Sequence, residues 1–175
     1  GTVKVGIVSS FASRWLSARL TNFFETCPDL SLKIESINSI DEFSKANFSI
    51  AILWGDGWSD FEYELLMSSS SYILGNRKIY DQTKSLSLEE TMKKTPLLND
   101  GFYGGHGGMK AWHKTANLEY KPSKSSLKIT DAFTRLQAVI DGQGIALWDE
   151  LVDEEIKSGK LFYISDIELQ GFQQL

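Results

Sequence analysis

Two places in this chain set hydroxyl side chains at a helix start, a combination that holds a carboxylate or another polar group without metal or covalent chemistry. The first is Ser9-Ser10, where the apolar run 3–8 gives way to large residues at Phe11, Trp15, Leu16, Leu20, Phe23 and Phe24. The second is Thr130-Asp131-Ala132, ahead of Phe133, Leu136, Val139 and Ile140. The first turn of a helix leaves backbone N–H groups without acceptors and carries the positive end of the helix dipole, so it favours an anion or a polar oxygen. The plainer role for Ser10, and for Thr130 or Asp131, is N-capping, which calls for the same residue types. Trp54 follows a short apolar run, where core packing and lining a ligand crevice are both open. Trp148 closes another such run, at a strand's carboxyl end, where open α/β sheets bind ligands.

Other chemistries find no support. His106 and His113 are the only histidines and Cys27 the only cysteine. That excludes an internal disulfide, and no spacing suggests a zinc site. Neither histidine stands in a triad context. Ser125 and Lys128 match a Ser-x-x-Lys dyad by letter only, in a polar linker rather than at a helix start. The glycine-rich segment GFYGGHGGMK lacks the Gly-Lys-Ser/Thr of a phosphate-binding loop. It reads instead as a pocket wall with Phe102 and Tyr103 as apolar contacts.

The elements that must position these residues follow from periodicity. A buried strand runs up to Val8 into an amphipathic helix capped by Ser10, and Cys27-Pro28-Asp29 stops it. Residues 30–37 alternate as a half-buried strand, 41–43 form a helical turn, and 49–53 form a buried strand. Strand, helix, strand, turn, strand is the order of a parallel α/β sheet with right-handed crossovers. Further strands are expected at 71–74, 127–129 and 145–148, and helices at 86–94, 109–114 and from about 131, the last closing at Gly142.

Composition narrows the class. The 175 residues are 42% hydrophobic with five Trp, enough for a packed core in one domain or two small lobes. Lys and Arg number 18 against 23 Asp and Glu, without a basic stripe, which argues against direct nucleic-acid binding by this chain. No apolar run reaches the length of a membrane span. No membrane association, no metal and no cofactor are expected, and a reducing, cytoplasmic setting fits the single cysteine.

The segments SSFASRWLSARLTNFFETCPDLSLKI, FSIAILWGDGW, DAFTRLQAVIDGQGIALW and LVDEEIKSGKL, in that order, resemble the effector-binding domain of LysR-type transcriptional regulators. The resemblance is strongest to the subgroup of the glycine-cleavage activator. It implies a two-lobed α/β fold of the type II periplasmic-binding-protein kind, with a small-molecule cleft between lobes: lobe I over 1–74, lobe II over 75–167, and the start of a returning crossing strand over 168–175. The rest of lobe I and the family's N-terminal winged helix-turn-helix would lie outside this chain. Carried over by position, effector contacts would come from Ser9, Ser10, Phe11, Asn38, Ser39, Trp54 and Gly55 in lobe I. Lobe II would add Phe102, Tyr103, Thr130, Asp131, Ala132 and Trp148.

The function so implied is a non-enzymatic sensor. A small polar effector would alter the lobes and be relayed through a homo-dimer or tetramer, with the helix over 11–24 packed on a partner's second lobe. DNA would be reached only through the helix-turn-helix domain. The alternatives are a solute-binding protein of the same fold serving a transporter and, less supported, an α/β enzyme for which no base or metal presents itself.

Overall fold

The computed structural model describes residues 1–55, 58–98, 108–121, 127–149 and 151–170. These fall into two compact units, Gly1–Leu66 and Met67–Leu175.

In the first unit, β1 (Thr2–Ile7) runs without a loop into a long helical stretch. It comprises α1 (Ser9–Phe11), a π-helical turn (Ala12–Leu16), a 3-10 turn (Ser17–Arg19) and α2 (Leu20–Thr26). Then come β2 (Ser31–Ser36), α3 (Ile40–Lys45) and β3 (Ile50–Ile52). The three strands form a parallel sheet in the order β2-β1-β3, as the alternation of sequence elements requires. Val5, Ile7, Phe11 and Ile37 are its buried apolar residues.

The helix does not begin where the sequence points. Val8, in extended conformation, is the N-cap, and Ala12 donates its N–H to the Val8 carbonyl at 3.0 Å. Ser10 is therefore a first-turn residue and not the cap. A cap needs a non-helical backbone, and that backbone is supplied two residues earlier, by the last residue of the apolar run.

In the second unit, β4 (Ser70–Gly75) is the central strand. The helices α4 (Arg77–Thr83), α5 (Leu88–Lys94), α6 (Met109–Thr115) and α7 (Ala132–Ile140) follow, then β5 (Ala146–Asp149), α8 (Asp153–Lys157), β6 (Phe162–Tyr163) and β7 (Leu169–Gln170). β5, β6 and β7 all pair antiparallel with β4. Period-2 alternation gives this sheet two packed faces. Ile73 packs with Ile79, Met92, Leu97, Met109, Trp112 and Ile145 on one side. Leu74, Ala146 and Trp148 pack with Leu136, Val139, Val152 and Leu161 on the other. The Trp112 indole N–H donates to the Ile167 carbonyl at 3.1 Å and fixes the chain entering β7.

The compact units divide between Leu66 and Met67, and the strand partners of β4 among the described residues, β5, β6 and β7, belong to the second. Two expectations shift here. Residues 127–129 do not form a strand, and Lys128 makes a single bridge. Arg77–Thr83 is a helix where none was expected, with Asn76 as N-cap accepting from the Ile79 N–H at 3.0 Å.

Candidate functional site

The first-unit candidates converge because of strand register. In the parallel sheet Ile7 is opposite both Ser36 and Ile52, so β1, β2 and β3 end at one edge. The segments that leave this edge carry Ser9, Ser10 and Phe11 after β1, Asn38 and Ser39 after β2, and Trp54 and Gly55 after β3. Ser9 and Ser10 are half-buried, and neither hydroxyl is used as the helix cap. Phe11 is buried; Trp15 stacks on it at 5.0 Å between ring centres, and Trp54 meets it edge-on at 5.9 Å. Trp15 is placed by the π turn, a rare widened turn frequent at functional sites, closed here by the Ser17 N–H on the Ala12 carbonyl. Gly55 has φ +118°, a region that disfavours any side chain.

On the β2 side much of the polar capacity is already committed. Ser39 caps α3, accepting from the Glu42 N–H at 3.4 Å, and Glu42 returns the bond by accepting from the Ser39 N–H at 3.1 Å and from the Asn38 N–H. This is a full capping box. What Asn38 still presents to solvent is its exposed carboxamide.

In the second unit, Asp131 is the N-cap of α7, one of the two residues the sequence offered for that place. One carboxylate oxygen accepts from the Thr134 N–H at 2.8 Å and from the Thr134 hydroxyl at 2.7 Å. The Thr134 hydroxyl, then its N–H, then the charge of Arg135 hold the Asp131 carboxyl below its ordinary range. Gln143 N–H to the Ala138 carbonyl and Gly142 N–H to the Val139 carbonyl close the helix as a Schellman motif.

Trp148 sits beside this entry. It is 6% exposed, and the Arg135 guanidinium lies 4.9 Å from its ring centre. The same guanidinium donates to the Ile129 carbonyl at 2.7 Å and the Thr130 carbonyl at 3.4 Å. Arg135 thus ties residues 129 and 130 to β5. The sequence reading missed it: its only mark is the spacing of four from Asp131. Phe102 and Tyr103 lie outside the described residues.

Among the described residues no group of three or more His, Cys, Asp or Glu is placed to hold a metal ion. No helix among them is long and apolar enough to cross a membrane. What the arrangement offers is reversible recognition, through hydroxyls, a capped helix entry, aromatic faces and one guanidinium.

The LysR substrate binding domain family matches residues 1–170. The glycine cleavage system transcriptional activator of Escherichia coli K12 is 24% identical over 163 residues, which is 92% of this chain and 52% of that protein. The carbapenem-hydrolyzing beta-lactamase transcriptional activator of Serratia marcescens is 26% identical over 168 residues, 95% of this chain and 56% of that protein. The chain thus spans about half the length of these relatives. The effector domain of the transcriptional regulator AmpR of Pseudomonas aeruginosa superposes with a TM-score of 0.85 at 21% identity, covering 97% of this chain and 81% of that one. CrgA, a LysR-type transcriptional regulator from Neisseria meningitidis, gives 0.80 at 18% identity, covering 98% of this chain and 59% of that one. These neighbours establish the type II periplasmic-binding-protein-like α/β fold. The relatives are regulators rather than enzymes, and the transporter reading is not favoured. The chain belongs to the LysR substrate-binding domain family.

Proposed function

We propose that this chain is the ligand-sensing half of a transcriptional regulator that reaches DNA through a separate domain. The effector is small and polar, singly charged or neutral, and the residues proposed to contact it are Ser9, Ser10, Phe11, Asn38, Ser39, Trp54 and Gly55 in the first unit and Thr130, Asp131, Ala132 and Trp148 in the second. Phe102 and Tyr103 are proposed as further apolar contacts. The observation that carries this reading is the convergence of three post-strand segments at one carboxyl edge of the parallel sheet, where α/β sheets bind ligands.

Sensing needs no bond to be made or broken. The effector must favour one arrangement of the units by ~1–3 kcal/mol, the usual size of an allosteric coupling. Homo-dimers or tetramers pass that preference on, with the helix over 11–24 against a second copy, in the cytoplasm. A thermal-shift panel of free amino acids and short carboxylic acids tests the reading, with Ser10→Ala and Thr130→Ala as companions. A binder whose stabilisation both variants reduce is expected. A binder that neither variant affects would place the site elsewhere.

A further inference from the structure

The indole N–H of Trp148 is buried and meets no acceptor among the described residues. A buried donor left unpaired is costly, and native structures satisfy nearly all of them. The rest of the ring is well accounted for. It packs in the apolar layer of Leu136, Val139 and Val152, opposite Tyr72 on β4, and its face is covered by Arg135. An indole N–H can only donate, so the atom that completes it must be an acceptor. The location is specific: Arg135 links the Trp148 face with the carbonyls of Ile129 and Thr130, the residues that lead into α7.

We infer that Trp148 is a specificity-determining donor that reads an oxygen acceptor, carboxylate or carbonyl, on the effector, and that Arg135 is the residue that positions it against the entry of α7. The inference rests on the ligand-sensing reading above and deepens it by assigning the second unit an oxygen-recognising contact. It also gives Arg135 a role other than charge pairing. Its planar guanidinium can stack on the indole while two N–H groups remain directed in its plane at backbone carbonyls, and a lysine cannot reproduce that geometry.

The test uses the whole chain and does not wait for the effector. The five Trp give five indole N–H resonances, and Trp148→Phe identifies the one in question. Sodium formate, the smallest carboxylate, is titrated against the wild type, with methylammonium chloride at equal ionic strength as the control without an acceptor. The Trp148 indole proton is expected to move downfield saturably with formate only. Arg135→Ala should weaken that response about tenfold, the loss expected when one hydrogen bond is misplaced. Arg135→Lys should fail to rescue it, while the backbone amide spectrum of both variants stays that of the folded chain. An indole proton that ignores formate, or responds equally in Arg135→Ala, overturns the assignment. If the indole responds but no metabolite in the panel binds, the sensing reading fails and the donor assignment stands. If a metabolite binds without moving this proton, the reverse holds.

Discussion

Gly144→Ala should unseat the strand that carries Trp148, and the structure sets the size of the effect. A Cβ at Gly144 would lie 2.5 Å from the Pro96 carbonyl oxygen and 3.1 Å from Leu98 Cγ, where ordinary contact begins at 3.4 Å. The oxygen cannot simply retreat, because it accepts the Ile145 N–H at 2.9 Å, while the Leu98 N–H donates to the Ile145 carbonyl at 2.8 Å. Overpacking of this kind costs about 1–3 kcal/mol, and loosening one of the two backbone bonds adds about 1 kcal/mol. The expected loss is therefore roughly 2–4 kcal/mol. Gly159→Ala is the control: its φ is +77° but nothing lies within 4 Å of the added carbon. Only backbone strain then acts, about 1 kcal/mol. Because the chain forms two compact units, a single global midpoint is not a sound readout. Native-state hydrogen exchange at Leu98, Ile145 and Trp148 reports the affected ladder directly. Equal protection in Gly144→Ala and wild type, or a smaller loss than in Gly159→Ala, would refute the close approach of Pro96 and Gly144.

Two further perturbations have a sign fixed by the structure. Asp131 is held below its ordinary carboxyl range mainly by the Thr134 hydroxyl. Its stabilisation is therefore present above the unfolded carboxyl pKa of about 3.9 and is lost as pH falls through the lower folded value. Asp131→Ala should lower the exchange protection of α7 at neutral pH and the difference should vanish in acid, while Asp131→Asn keeps a pH-independent cap; an Ala penalty that persists unchanged into acid contradicts this. His113 is 3% exposed, and burial lowers its pKa against the opposing bond from Nδ1–H to the Met109 carbonyl. Stability should be full above the unfolded histidine pKa of about 6.5 and decline as pH falls from there towards the folded value. His113→Gln should flatten the pH dependence of exchange protection in α6 across that window, and a wild-type dependence already flat there argues against a neutral buried ring.

The first sheet was legible in sequence because each strand is short, apolar and ended by an abrupt change of period. The three parallel strands form as read, and the segments leaving their common edge carry the first-unit residues proposed for the site. The misreadings share one cause, dependence on partners that local pattern does not encode. Leu127-Lys128-Ile129 alternates like a strand, yet Leu127 is 49% exposed and among these three residues Lys128 alone makes a bridge. The strand over 70–75 finds its partners β5, β6 and β7 only late in the chain, so its pairing is not a local property. Asn76 follows β4 directly and starts a helix, two roles its β-region backbone satisfies at once. Ser10 was misjudged for the converse reason: the extended backbone of Val8 already supplied the cap. The Ser10 hydroxyl is thus not engaged as the helix cap. Arg135 was invisible because its meaning depends on Trp148 in another element, and only the fold brings guanidinium, indole and the lead-in to α7 together.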